Sequence, residues 1–171
     1  SNSWGGGAES ALLREAIERA DKAGILFVVA AGNDTNNNDV TPSFPANYQV
    51  PNVLSVAAID NRGILAPFSN FGAKTVHVAA PGVNVVSTVP GGKYASFSGT
   101  SMATPHVAGI AALLLANNPK LTHHELRQQI IESSRPVYSL KTRVLAAGVA
   151  DAYYALSGAS PPSDPNDPTK M

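Results

Sequence analysis

The chain has 171 residues, 44% hydrophobic and 14% charged, with 12 basic side chains balanced by 12 acidic ones. That balance, with no basic cluster interleaved with aromatics, excludes recruitment by nucleic acid or an anionic membrane surface. Cysteine is absent, which excludes disulfides and thiolate metal sites. The apolar run Ile110 to Ala116 is far too short to span a bilayer.

In chain order, the first residues read as a strand ending near Ser3. A helix is predicted from about Glu9 to Ala23, with Ala11, Leu12, Ala16, Ile17 and Ala20 as its apolar stripe. Glu15–Arg19 and Glu18–Lys22 are i,i+4 pairs on its wet face, and Gly24 is placed to close it. Ile25 to Ala31 does not alternate, so it reads as a strand buried on both faces. Strand, helix, strand implies a right-handed parallel crossover and an α/β domain. Ser3 and Asn33 then fall at the ends of neighbouring strands, the edge where open parallel sheets bind ligands.

Residues 33 to 52 read as a long loop rich in Asn, Asp and Pro. Val53 to Ala58 is a third buried strand, and Lys74 to Ala80 and Val83 to Thr88 are shorter ones. Pro90-Gly91-Gly92 marks a hairpin with Tyr94 to Ser98 as its return strand. A helix of small residues, expected to be buried, follows from Ser101 to about Ala116. Pro105 lies in or just after its first turn and disfavours helical geometry at Thr104. Thr122-His123-His124-Glu125 is a capping box for a helix to about Ser133, with Leu126, Ile130 and Ile131 inward. Val149 to Ser157 suggests a last helix. From Gly158 onward the composition is that of a linker or tail. The expected division is a globular part, 1–157, and a tail, 158–171.

Several residues could carry chemistry. Taken alone, Ser101 reads as an N-cap, the ordinary role of a serine before a helix. A serine there can also attack a carbonyl while nearby backbone N–H groups face the oxygen that becomes negative. Gly32-Asn33-Asp34 reads equally as a post-strand turn or as a side-chain amide aimed at such an oxygen. Gly5-Gly6-Gly7 before a helix suggests a phosphate loop but lacks the spacing of either phosphate-binding fingerprint. Of the four histidines, His106 lies about 7 Å further along the helix than Ser101 and about 500° around it, away from the hydroxyl. His77 reads as a core residue, and His123 and His124 as solvated ones.

The string Gly99-Thr100-Ser101-Met102-Ala103-Thr104-Pro105-His106-Val107-Ala108-Gly109 resembles the nucleophile signature of the subtilisin-like serine proteases (subtilases, peptidase S8 family). Asn2-Ser3-Trp4-Gly5-Gly6-Gly7 resembles that family's substrate-binding strand. Val28-Val29-Ala30-Ala31-Gly32-Asn33 resembles its oxyanion segment, and Ala79-Ala80-Pro81-Gly82 the turn ahead of its nucleophile. All four come in the family's order.

The resemblance implies a parallel-sheet, three-layer α/β sandwich and an endopeptidase acting through an acyl-enzyme. Ser101 is then the nucleophile and Asn33 the oxyanion donor. Ser3, Trp4 and Gly5 pair with an extended substrate, Ala30, Ala31 and Gly32 line a roomy apolar side-chain pocket, and Thr100 is a further substrate-binding residue. The family's Asp-Thr/Ser-Gly and His-Gly-Thr-His motifs do not occur in these 171 residues. The chain is therefore expected to be the C-terminal part of a catalytic domain, inactive alone. Its sheet, lacking the earlier strands, is expected to need an N-terminal part or a second copy of itself along its edge.

The chemistry implied needs no cofactor. Many relatives bind calcium or another cation near the third strand, so the resemblance allows structural calcium in an intact parent. Thr75 and His77, however, stand where carboxylates would be wanted, with Asp60 the only acid near that site, so no tight metal site is expected here. Secretion follows from the resemblance alone. The competing reading is a non-catalytic peptide-binding module, against which stand the paired serine and oxyanion residues. An α/β-hydrolase elbow, Gly-x-Ser-x-Gly, does not fit, because Ala103 stands where the second glycine belongs.

Overall fold

The computed structural model describes residues 1–170. Its centre is a five-stranded sheet in the order β1 (Phe27–Ala30), β2 (Val53–Ile59), β3 (Val78–Pro81), β7 (Gly148–Val149) and β6 (Arg135–Pro136). The first four run parallel and β6 is antiparallel to β7. Phe27 pairs with Val53, and Val56 with Val78. Every residue of β2 is buried, as the unbroken apolar run demands of a parallel strand covered on both faces.

One face is covered by helix α2 (Thr100–Asn117), α3 (His123–Glu132) and α4 (Ala152–Ser157). Ala103, Val107, Ile110, Ala111 and Leu114 of α2 pack on Val28, Leu54, Val56, Ala58, Val78 and Ala80. Full burial of a side chain such as Leu54 or Leu114 contributes about 1.5–3 kcal/mol. The other face is covered in two patches. Ile17 of α1 (Ala11–Lys22) joins Val29, Ala46, Tyr48, Val50 and Val53, and Leu140 and Val144 join Ala31, Ala57, Ile59, Val76, Ala79 and Val149. The result is the three-layer α/β arrangement expected.

Local signals set the helix ends. Ser10 caps α1 by accepting from the Leu13 N–H, and Gly24 closes it at φ +75°. Thr122 and Glu125 make both bonds of the capping box at the start of α3. Asp151 caps α4 and Gly158 ends it in the left-handed region. The hairpin β4 (Val85–Val89) and β5 (Lys93–Phe97) stands apart as its own exposed two-stranded sheet around Pro90-Gly91-Gly92.

Several expectations are corrected. The inward stripe of α1 is Leu13 and Ile17, whereas Leu12 is 77% exposed. Glu18 pairs with Arg14, not with Lys22. Helix α2 is buried on one face only, with Leu113 and Leu115 outward. The last helix starts at Ala152, because Gly148 and Val149 join the sheet as β7. At the chain's start, the expected strand is a single bridge from Asn2 to Val29. The Asn2 N–H donates to the Val28 carbonyl at 2.8 Å, and its carbonyl accepts from Ala30 at 3.0 Å.

The 33–52 loop is ordered without regular structure, through buried asparagines. Asn70 Oδ1 accepts from the N–H groups of Asp34 and Asn36, and its Nδ2 donates to the Ala31 carbonyl and Asn38 Oδ1. Asn38 in turn donates to Ala31, and Asn47 donates to the Asn38 carbonyl. Each side-chain amide offers two donors and two acceptor lone pairs, so these three replace a ladder of backbone bonds.

Candidate active site

A cleft of about 290 Å³ opens where β1 ends and α2 begins, lined by Ser3, Trp4, Gly5, Gly6, Ala30, Gly32, Asn33, Asp34, Thr100 and Ser101. Eight of the nine residues picked from the sequence therefore share one cavity. The ninth, Ala31, does not line it. As the strand alternates, Ala31 points into the core with Ala57, Ile59 and Val76.

The cleft's floor is built by close approach. The Gly99 N–H donates to the Gly82 carbonyl at 2.8 Å. A Cβ at Gly82 would stand 2.6 Å from the Ala58 Cβ and 2.8 Å from the Gly99 oxygen, so only glycine lets this turn slide under the start of α2. Ser101 is the second residue of that helix, where backbone N–H groups have no acceptor within the helix.

Asn33 is held by the oxygen of its amide. Oδ1 accepts from both the N–H and the hydroxyl of Thr100, each at 2.9 Å. A backbone N–H can only donate, so this contact fixes which end is oxygen and turns Nδ2 away from Thr100. The Thr100 hydroxyl also accepts from the Gly32 N–H at 3.3 Å. Thr100 is fully buried and so positions Asn33 from beneath. Gly32 is at φ +115°, and a Cβ there would collide with Asn70 Nδ2. Sequence reasoning missed Asn70 and Asn38. Asparagine in a loop carries no signal of its partner when that partner lies 32 or 39 residues away.

Ser101 and Ser3 make a reciprocal pair. The Ser101 hydroxyl donates to the Ser3 carbonyl at 3.1 Å, and the Ser3 hydroxyl donates to the Ser101 carbonyl at 2.9 Å. Pro105 explains the second bond. It has no N–H to offer the carbonyl four residues back, and Ser3 fills that vacancy. Helical geometry nonetheless runs through Thr104 and Pro105 without a break.

The model of the subtilase family matches residues 1–156. The chain belongs to this family. It is 47% identical over 132 residues to the thermostable alkaline protease of Halalkalibacterium halodurans, covering 77% of this chain and 35% of that protein. It is 45% identical over 128 residues to alkaline elastase YaB of a Bacillus species, covering 75% and 32%. A solved protease structure from Pseudoalteromonas arctica superposes with a TM-score of 0.80 at 34% identity, over 93% of this chain and 50% of that one. The chain thus spans about a third of the length of these curated relatives.

The four histidines of this subtilase chain all lie outside the cleft. His106 Nδ1 turns back to the Met102 carbonyl at 2.9 Å and faces a separate hollow beside Val85, Val86 and Ser87. His77 is buried, and its Nδ1 accepts from the Ser55 N–H at 2.8 Å. Burial, with the Arg127 guanidinium contributing less, pushes its imidazole down to about 3, so it is neutral. It borders a larger hollow of about 540 Å³ between Tyr48–Pro51 and α3, which holds no candidate nucleophile. His123 and His124 are not simply solvated, since both reach Asp21.

Asp60 is engaged within its own turn. The Ile64 N–H, with Arg62 behind it, holds its carboxyl below the usual carboxylate range. A second acid that sequence distance hid lies nearer Thr75. Asp39 Oδ1 accepts from the Thr75 hydroxyl at 2.7 Å and its N–H at 3.0 Å.

Proposed function

We propose that this chain carries the attacking and anion-stabilising residues of a serine endopeptidase, the proton-handling histidine and its aspartate coming from outside these 171 residues. The observation that carries the reading is the shared cleft. One hydroxyl at a helix start and one amide locked by its oxygen both line it, beside an extended glycine-bearing segment.

In this reading Ser101 Oγ attacks the scissile carbonyl carbon as its proton passes to the histidine. The carbonyl oxygen becomes negative and takes hydrogen bonds from Asn33 Nδ2 and the Ser101 N–H, which strengthen as charge develops. Collapse breaks the C–N bond, and the leaving amine takes the proton from the histidine. Water then attacks the acyl-enzyme by the same route and frees Ser101. The substrate's main chain adds as a strand along Ser3–Gly5. Ala30 and Gly32 leave room for a large uncharged side chain, while Thr100 acts through Asn33. No cofactor enters these steps, and the family's extracellular setting accords with them. Among the described residues no helix is long and apolar enough to cross a membrane.

The test is complementation. The chain is mixed with an N-terminal subtilase segment carrying the Asp and His motifs, and a peptide ester is assayed. Hydrolysis is expected from the mixture and from neither part alone, and Ser101→Ala is expected to lower it by about 10⁶, the scale subtilisin itself shows. Hydrolysis unchanged by Ser101→Ala would overturn the assignment. Peptide binding without cleavage in the mixture would favour a binding module.

A further inference from the structure

Away from the cleft, a second set of side chains converges. Asp21 lies in the last turn of α1, and His123 and His124 open α3. Nε2 of each imidazole stands 2.8 Å from the same atom, Asp21 Oδ1. The ring centroids are 3.9 Å apart, and the three candidate ligand atoms lie within 4.8 Å of one another. The side chains of Asp21 and His123 are 20% and 11% exposed, and that of His124 is 51% exposed. Two groups are thus anchored in the helix junction, and the third leaves an entrance from solvent.

The donor set is selective. Two imidazoles and one carboxylate suit a zinc-class ion, whereas calcium and magnesium want more oxygens. Metal–ligand bonds of about 2.0–2.2 Å in a tetrahedron separate neighbouring donor atoms by about 3.3 Å. The 2.8 Å pairs need open by only about half an ångström to admit an ion. Asp21 also sits at the negative end of the α1 dipole, where a carboxylate is disfavoured and a cation is favoured.

We propose that Asp21, His123 and His124 form a three-ligand site for one Zn²⁺ ion, with the fourth position open to water, joining the end of α1 to the start of α3. The ligands are 102 and 103 residues apart in sequence, so the ion closes a long loop. It clamps a helix that buries only one side chain completely, Ile17. That helix links the Ser3–Gly5 segment to β1 and hence to Asn33, so occupancy steadies both walls of the cleft without touching either.

The chelator-treated 171-residue chain is titrated with Zn²⁺ by calorimetry and with Co²⁺ by visible absorption. One ion per chain is expected, with the Co²⁺ bands of a four- or five-coordinate nitrogen and oxygen site, and a melting midpoint that rises with Zn²⁺. Asp21→Asn and His124→Ala are each expected to weaken binding by about tenfold or more, while His106→Ala leaves it unchanged. His124 is half exposed, so His124→Ala keeps the fold, and circular dichroism verifies it. Failure to bind one Zn²⁺ per chain, or equal affinity in wild type and His124→Ala, would overturn the proposal.

Discussion

Asn33 and Ser101 line the same cleft, yet the chain supports them differently. The amide is over-determined: its oxygen takes two bonds from Thr100, Thr100 also holds the Gly32 N–H, and Asn70 and Asn38 fix the loop that follows. Among the described residues the serine hydroxyl donates to one partner, the Ser3 carbonyl, which can accept a hydrogen bond but cannot take the proton. Oxyanion stabilisation, the role proposed for Asn33, needs rigid dipoles, and the bonds that hold this amide are all local to the cleft. Nucleophile activation needs a base, and no histidine of the chain reaches the hydroxyl. In the proposed function, the rigid half of the site is built here and the proton-moving half is left to other residues.

The largest effect expected is the loss with Ser101→Ala in the complemented enzyme, since it removes the bond-forming atom. Next comes Asn33→Ala. It is expected to lower kcat by about 10²–10³ with little change in KM, the size reported for this donor in subtilisin. A loss below tenfold would break the comparison by showing that the locked amide is only a turn. Gly32→Ala tests the lock itself. Its backbone strain alone costs about 1–3 kcal/mol, and the displaced Asn70 adds to that. A lower urea midpoint together with a lower kcat is expected, and wild-type values for both would mean that the lattice does not hold Asn33.

The last effect, on stability alone, separates scaffold from cleft. His77 is held neutral with its folded value near 3, below its unfolded value of about 6.5. Above pH 6.5 neither state binds the proton and stability is flat. As the pH falls from 6.5 towards 3, the unfolded chain takes up a proton that the folded one refuses. Stability is then lost by up to about 1.4 kcal/mol per pH unit. His77→Asn keeps an acceptor for the Ser55 N–H and is expected to remove that part of the slope, measured by urea unfolding at pH 7, 5 and 4. An unchanged slope would mean that burial does not depress the His77 pKa.

What the sequence revealed depended on the range of the interaction. The capping box at Thr122–Glu125, the closing Gly24 and the hairpin at Pro90-Gly91-Gly92 act over three or four residues, so their signals sit side by side. The buried β2 was visible because no polar residue but Ser55 interrupts it. In α1, alanines offered two adjacent stripes, and only packing against Val29 and Tyr48 selects Leu13 over Leu12. Val149 looks helical until β3 and β6 are beside it. In the site, Ser101, Asn33 and Ser3 were legible from motifs. The lattice of Asn38, Asn47 and Asn70, the contact of Asp39 with Thr75 and the meeting of Asp21 with two histidines were not. Each joins residues far apart in the chain whose polar groups name no partner in advance.

Pro105 has an effect beyond its own helix. By withholding one donor it makes the first turn of α2 depend on a side chain 98 residues earlier. The Ser3 segment and the start of α2 are thereby fastened to each other at two points. In the proposed function, alignment of a substrate lying along Ser3 with the Ser101 hydroxyl is then set by one shared mount, not by two separate tolerances.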